Sequence, residues 1–451
     1  MLRFAIKRTQ RQLCSSSILR ENLILSSPVY DVNKICDKIE TYKKSIIDRQ
    51  LHNEKELLNS ISTLDNNRAN ISEYNKEIKN IQIRRKDLEK LIKEDLDNKI
   101  KHGDEIQQLK VRANELKTKV KDLMILINDS CSALPNLIDP SSPISEPEII
   151  DWINPMNEYV ADPERNHVDI MTKKNMLNLS TASNVVGTSW YYLINGGALL
   201  ERALTNYAIE KAIGRGFQFV IPPTMAKREI IDACGFRPRD MNNEQQIYYL
   251  NNSNLGLIAT AEITLAALGI NQTFNVEKGA KKVVGISRSY RAEAGARGRD
   301  TKGLYRVHEF SKVELFCWSK PTHSNELLQE LKNFQVDLVQ SLGIPAKLLN
   351  MPANDLGSPA FQKYDIEAWM PGRGNFGEIT STSNCTDFQS RRMNTKYSDG
   401  NNKPEYLHTL NGTAMAVPRV IIAIVENFYN KKTNQISIPK PLQKYMGTEY
   451  I

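Results

Sequence analysis

The residue types best suited to chemistry concentrate between Ile286 and Trp318, in two strand-like runs joined by a long, glycine-rich, cationic loop. Arg291 and Glu293 are two residues apart, so in a strand both project from one face. In the second run Arg306, His308, Phe310, Lys312 and Glu314 share one parity, opposite Val307, Val313 and Leu315. Two arginines, an aromatic ring and two carboxylates would then share one sheet surface, beneath a loop carrying Arg297, Arg299 and Lys302. Such a loop suits a lid over a polyanion. The plainer reading is a solvated basic loop on an antiparallel sheet, although an ordinary hairpin closes with a two-residue turn.

Three further stretches carry polar groups at strand or helix spacing. Leu257 to Leu265 places Thr260 and Glu262 two residues apart, and Phe376 to Asn384 reads as a polar strand carrying Glu378. His408-Thr-Leu-Asn-Gly-Thr413 leads into an apolar segment expected to be helical from Ala414 to Asn427, with Pro418 tolerated in its first turns. Gly372-Arg-Gly-Asn-Phe-Gly377 satisfies the G-x-G-x-x-G pattern but precedes a strand instead of opening a helix, which argues against a dinucleotide fold.

The elements that must hold these groups follow from the rest of the chain. Its 451 residues suffice for two or three domains. A hydrophobic content of 40% with 25% charged residues is ordinary for a globular protein, and no apolar run reaches the length of a membrane span. The net charge of +8 is compatible with a polyanionic partner. The six cysteines lie far apart without a C-x-x-C pair, and the six histidines are equally scattered, so neither a disulfide scaffold nor a structural zinc site is expected.

Residues 1–25 are basic, contain serines and hold no acid before Glu21, and Leu2, Phe4, Ala5, Ile6 and Leu13 can form an apolar face. This is the pattern of a mitochondrial transit peptide; a disordered basic tail is the alternative. From Val32 to Cys131 there is no proline and one glycine, Gly103. Apolar residues recur at spacings of three and four from Leu57 to Ile81 and again from Ile106 to Ile127. The repeat predicts two long helices reversing near Lys101-His-Gly-Asp104, an antiparallel coiled-coil hairpin. Its cations, among them Lys76, Arg84, Arg85, Lys110, Arg112 and Lys119, could touch RNA phosphates or simply solvate the coil. A proline-dense segment from Leu134 to Pro147 closes the arm, and the alternating patterns beyond it suit an α+β domain. The expected division is 1–25 transit peptide, 26–140 helical arm and 141–451 catalytic domain.

Taken together, these residues resemble the seryl-tRNA synthetases of bacterial and mitochondrial type, a family of class II aminoacyl-tRNA synthetases. The first class II motif looks like Arg215-Gly216-Phe217 through Pro223, the second like Tyr290-Arg-Ala-Glu293 with Arg306-Val-His-Glu-Phe310, and the third like Leu410-Asn-Gly-Thr-Ala-Met-Ala-Val-Pro-Arg419. The likeness covers nearly the whole chain and implies an α+β fold: a class II antiparallel sheet flanked by helices, preceded by the long antiparallel two-helix coiled-coil arm. It implies activation of serine by ATP with transient magnesium, then transfer to the 3′ end of a mitochondrial serine tRNA. It further implies a homodimer, while the transit-peptide pattern places the protein in the mitochondrial matrix and the lack of a long apolar run argues against a membrane partner.

By motif position, the resemblance assigns serine binding to Thr260, Ala261, Glu262, Arg291, Glu314, Asn411 and Thr413. It assigns ATP binding to Arg291, Ala292, Glu293, Arg306, Val307, Phe310, Glu378, Ile379, Thr380, Ser381 and Arg419, with Glu378 and Ser381 towards magnesium. Arg291 and Arg419 are the expected catalytic residues. Glu309 stands where glutamine is common, with expected consequences for loop contacts. The competing function, an inactive paralogue retained as a mitochondrial RNA-binding protein, should have lost these arginines and glutamates; all are present.

Overall fold

A computed structural model describes residues 25, 28 and 30–451, apart from 95–96, 237–245, 278, 293–302 and 399–402. The expected transit peptide up to residue 24, Glu293 and the loop cations Arg297, Arg299 and Lys302 therefore lie outside the described residues.

The apolar repeat folds as two long helices, α3 (Glu54–Glu94) and α4 (Asp97–Ala133), after two short ones, α1 (Val32–Asp37) and α2 (Ile39–Asp48). At 1.5 Å per residue the 41-residue α3 extends about 60 Å. Near the base, Leu57, Ile61 and Leu64 pack with Ile127 and Cys131; farther out, Ile78 and Ile81 meet Ala113 and Leu116. Arg84 pairs with Glu105 and Arg112 with Glu77, each at 2.8 Å, so the helices run antiparallel and the chain reverses between the end of α3 at Glu94 and the start of α4 at Asp97. The expected reversal at 101–104 is thus corrected. Gly103 sits inside α4, where a single glycine costs about 1 kcal/mol, less than abandoning the apolar seam. Among the described residues, no helix is long and apolar enough to cross a membrane.

The arm's base is fastened to the body by Arg49, which is 1% exposed and donates to four backbone carbonyls: Leu356 (3.0 Å), Gly357 (3.1 Å), Asn136 (3.0 Å) and Ala360 (2.7 Å). Burial lowers its guanidinium to about 10, still far above neutrality.

The body is built on an eight-stranded sheet: β1 (Glu148–Ile153), β2 (Gln218–Val220), β3 (Lys281–Tyr290), β4 (Glu309–Ser319), β5 (Ala346–Asn350), β6 (Gln362–Met370), β7 (Asn375–Asn384) and β8 (His408–Ala416). Their spatial order is β1-β5-β6-β7-β8-β4-β3-β2, antiparallel except where β2 joins β3 in parallel. Helices α5 (Gly196–Gly214), α6 (Ser324–Ser341) and α7 (Val417–Phe428) pack on this sheet. The turn through Gly372 connects β6 to β7 as an antiparallel hairpin, so that glycine pattern belongs to no βαβ unit.

Three expected boundaries move. Strand β8 continues through Met415 and Ala416, paired with Val313 and Lys312, so the helix starts at Val417 and not at Ala414. An apolar Ala-Met-Ala run serves either state, and Pro418 in the first helical turn marks the true start. Strand β3 ends at Tyr290, leaving Arg291 just beyond it, with its N–H still donating to the His308 carbonyl at 2.9 Å. Strand β4 begins at Glu309, so Arg306 and His308 precede it.

Candidate active site

Strand β4 is buried on both faces from Ser311 to Ser319, which explains how it can present dry polar groups. Val313, Leu315 and Cys317 enter the main core, which also holds Val417, Val420, Ile421 and Ile424 of α7. On the other face Phe316 and Trp318 pack with Ile258, Ile263 and Leu265. Lys312 and Glu314 share that second face but lie nearer the open end of the sheet, where the apolar packing gives way to a cleft.

The cleft encloses about 560 Å³, part of it open to solvent. Arg291, Arg306, Val307, Phe310, Glu378, Ile379, Ser381, Thr413 and Arg419 line it, all of them residues singled out from the sequence. The Arg291 guanidinium lies 5.3 Å from the Phe310 ring centre. Arg419 donates from Nη1 to Glu378 Oε2 (3.1 Å) and to the Glu378 carbonyl (2.9 Å), and from Nε to the Tyr305 carbonyl (3.2 Å). The Tyr305 ring carries Arg419 at 4.7 Å and Arg373 at 3.7 Å.

Glu378 is walled in by strand and helix, yet its side chain keeps 41% of its surface open to the cleft. Burial alone would raise its carboxyl, but Arg419, then Lys363 and Arg291, outweigh burial and hold it well below the usual carboxylate range. Behind it, Asp365 lies opposite Ser381 in the ladder and pairs with Lys363 at 2.9 Å; burial pushes the Asp365 carboxyl up. Lys363 also meets Asp355 at 3.0 Å, and these two acids outweigh burial and keep its ammonium charged.

Beside the cleft lies a small dry pocket. Lys312 Nζ pairs with Glu314 Oε2 at 2.7 Å and donates to Thr260 Oγ1 at 3.0 Å. Thr413 Oγ1 lies 3.5 Å from Glu314 Oε2, while Glu262 Oε1 accepts from Gln389 Nε2 at 2.7 Å. Thr260, Glu262, Lys312, Glu314 and Thr413 are all buried. Burial raises the Glu262 carboxyl to about 7, with Glu314 adding; Lys312, Gln389 and Asn411 pull it back. Burial likewise raises Glu314, against Lys312, Arg291 and Thr413. Arg291 thus acts on both Glu314 and Glu378, placing its charge between pocket and cleft.

Not every expected residue faces the cleft. The Ala292 side chain is buried, and its N–H donates to the Gln246 carbonyl at 3.0 Å. The Thr380 hydroxyl donates to the Thr413 carbonyl, tying β7 to β8. Ala261 is buried in the turn before the helix Glu262–Ala266, so Thr260 and Glu262 project from a turn and a helix start, not a strand. His308 packs against Trp190, with centroids 5.7 Å apart, and its Nδ1 meets the Tyr248 hydroxyl at 2.9 Å; it does not share the cleft expected from parity. Glu309 turns away towards Arg288, which also pairs with Glu201 at 3.2 Å.

Lys312, Tyr305 and Gln389 were missed as functional positions. For Lys312 the signal was present, since it shares parity with Phe310 and Glu314. Gln389 reaches Glu262 from a helix 127 positions away, and no local pattern announces that.

Together these groups can hold a phosphorylated ligand in the cleft and a small cation-bearing ligand in the pocket, with Arg291 where the two meet. The model of the tRNA synthetase class II core domain (G, H, P, S and T) matches residues 248–428. The chain is 56% identical over 439 residues to the mitochondrial serine--tRNA ligase of Saccharomyces cerevisiae, covering 96% of this chain and 98% of that protein. It is 43% identical to the mitochondrial serine--tRNA ligase of Schizosaccharomyces pombe over 77% of this chain and 74% of the relative. The crystal structure of seryl-tRNA synthetase from Pyrococcus horikoshii complexed with ATP superposes with a TM-score of 0.81 at 32% identity, covering 94% of this chain and 99% of that one. Sequence, sheet and cleft agree, and the chain belongs to the serine--tRNA ligase family of class II aminoacyl-tRNA synthetases.

Proposed function

We propose that this protein joins L-serine to mitochondrial serine tRNA in two steps, with the cleft holding ATP and the dry pocket holding serine. The observation that carries the reading is the pocket itself: two buried carboxylates, one lysine and two hydroxyls beside Arg291, a set suited to a small hydroxylated amino acid. Thr260 and Glu262 receive the serine ammonium, while Glu314, Thr413 and Asn411 read its hydroxyl. Alanine is rejected because losing that hydroxyl leaves buried polar groups without partners.

In the first step a serine carboxylate oxygen attacks the α-phosphorus, and the bond to the β-phosphate breaks to release pyrophosphate. This needs alignment and charge neutralisation more than a base. The Arg291 fork bridges the serine carboxylate and the α-phosphate, Phe310 stacks on adenine, and Arg306 and Arg419 hold the outer phosphates. Glu293 reads the adenine amino group. In the second step the 3′-terminal ribose hydroxyl of the tRNA attacks the seryl carbonyl, and AMP leaves.

The donor set at the phosphate end suits magnesium: Glu378 is held charged and open to the cleft, and Ser381 lines the same wall. Those two residues would hold the ion, which supplies charge neutralisation for the phosphates when bound.

The arm from 26 to 140 grips the tRNA through its cationic face, residues 141–451 form the catalytic domain, and residues 1–25 direct the chain to the mitochondrial matrix. Exposed Leu199, Ile213, Phe219 and Ile221 on and beside α5 and β2 support a homodimer through the first-motif elements. Charging of mitochondrial serine tRNA with labelled serine, in the presence of ATP and magnesium, tests the whole reading; charging with threonine or alanine instead would overturn the pocket assignment.

A further inference from the structure

We propose that Glu426 and His167 are positioning residues that set the ATP wall of the cleft, by fixing the backbone at Leu304 against the helix that carries Arg419. The proposal rests on Arg306 and Arg419 holding ATP phosphates, as argued above.

Glu426 lies in the last turn of α7 and is fully buried. Its Oε1 accepts from His167 Nδ1 at 2.8 Å and from the His167 N–H at 3.2 Å. Its Oε2 accepts from the Gly372 N–H at 2.8 Å and the Arg373 N–H at 3.3 Å. One side chain thus ties the segment between β1 and α5, and the β6–β7 turn, to α7. Nearby, Arg165 Nη1 donates to the carbonyls of Glu426 and Tyr429, each at 2.9 Å, securing the end of the same helix.

His167 extends the linkage to the cleft. Its Nε2 accepts the Leu304 N–H at 3.1 Å, so Nε2 carries the lone pair and the ring proton sits on Nδ1, directed at Glu426. The approach requires Gly303: its φ is +73°, and a Cβ there would lie 2.2 Å from His167 Nε2. Leu304, Tyr305 and Arg306 follow at once as cleft wall. The Tyr305 ring lies against both Arg373, whose N–H Glu426 holds, and Arg419, which also donates to the Tyr305 carbonyl. The two ends of the linkage therefore meet at Tyr305, although Glu426 itself is not among the residues lining the cleft.

The imidazole geometry gives a discriminating test. A glutamine amide group reaches the position of Nε2, whereas an asparagine amide reaches only that of Nδ1. In serine-dependent ATP–pyrophosphate exchange, His167→Asn should raise KM for ATP about tenfold and leave KM for serine within about twofold. His167→Gln should bring KM for ATP back to within about threefold of the unaltered enzyme, even with its thermal midpoint lowered as far as that of His167→Asn. Glu426→Gln, which keeps the shape, should also raise KM for ATP selectively and serves where His167→Asn does not accumulate folded. Equal ATP KM values in the asparagine and glutamine variants, or a parallel rise for ATP and serine, would overturn the proposal. Arg306→Ala and Arg419→Ala separate the two layers. If they raise KM for ATP while the His167 and Glu426 variants do not, this inference fails alone; if they too leave it unchanged, the phosphate assignment fails with it.

Discussion

Serine capture should weaken below neutral pH while ATP binding does not. Glu262 is 6% exposed, and burial with the neighbouring Glu314 raises its carboxyl to about 7. A serine ammonium needs the ionised form. About a tenth of the enzyme is then competent at pH 6 and about nine-tenths at pH 8, so kcat/KM for serine should fall about tenfold across that interval. Glu378 at the ATP end stays charged throughout, because Arg419 and Lys363 outweigh burial and hold it well below the carboxylate range. The assay is pyrophosphate exchange at saturating ATP with serine varied at each pH. Lys312→Met removes a cation that lowers Glu262 and should move the inflection upward. Stability carries the opposite sign. The folded protein binds more protons at Glu262 than the unfolded chain between the ordinary 4.5 and about 7. The contribution, on the order of 3 kcal/mol, is therefore fully present below pH 4.5 and lost as pH rises through 7. A flat serine profile from pH 6 to 8, or an inflection that survives Glu262→Gln, would refute the reasoning.

Arg291→Ala should reduce serine-dependent exchange by about 10²–10³-fold with little change in thermal midpoint, since it removes preorganised charge without opening the core. Replacing residues 75–114 by a short glycine-rich turn removes nearly equal lengths of α3 and α4 and keeps the base packing of Ile61, Leu64 and Ile127. Exchange should persist in that protein while KM for tRNA rises at least about tenfold in charging assays. Arg49→Met strands carbonyls of the arm–body junction and should cost about 3 kcal/mol, read from a denaturant titration, with exchange per folded molecule unchanged.

Local pattern made part of this molecule legible. Alternation placed Phe310, Lys312 and Glu314 on one face of β4, and the apolar repeat exposed both arm helices. Spacing alone brought Thr260 near Glu262, whatever element carried them. The arm's reversal was misplaced because Gly103 outweighed a seam that continues through it, and only cross-helix pairs such as Arg84–Glu105 locate the turn. Strand β8 and α7 adjoin within one apolar run, so their boundary rests on pairing with β4. His167, Gln389 and Glu426 were invisible for another reason. Each acts on a partner more than a hundred positions away, joined by topology and not by period.

The most direct test of the central claim is serine-dependent ATP–pyrophosphate exchange by the protein lacking its first 25 residues, beside Arg291→Ala. Exchange with serine, none with threonine, and loss in the variant are the expected results. Folded protein that exchanges with threonine but not serine, or that exchanges unchanged without Arg291, would contradict the account of the pocket and its bridging arginine.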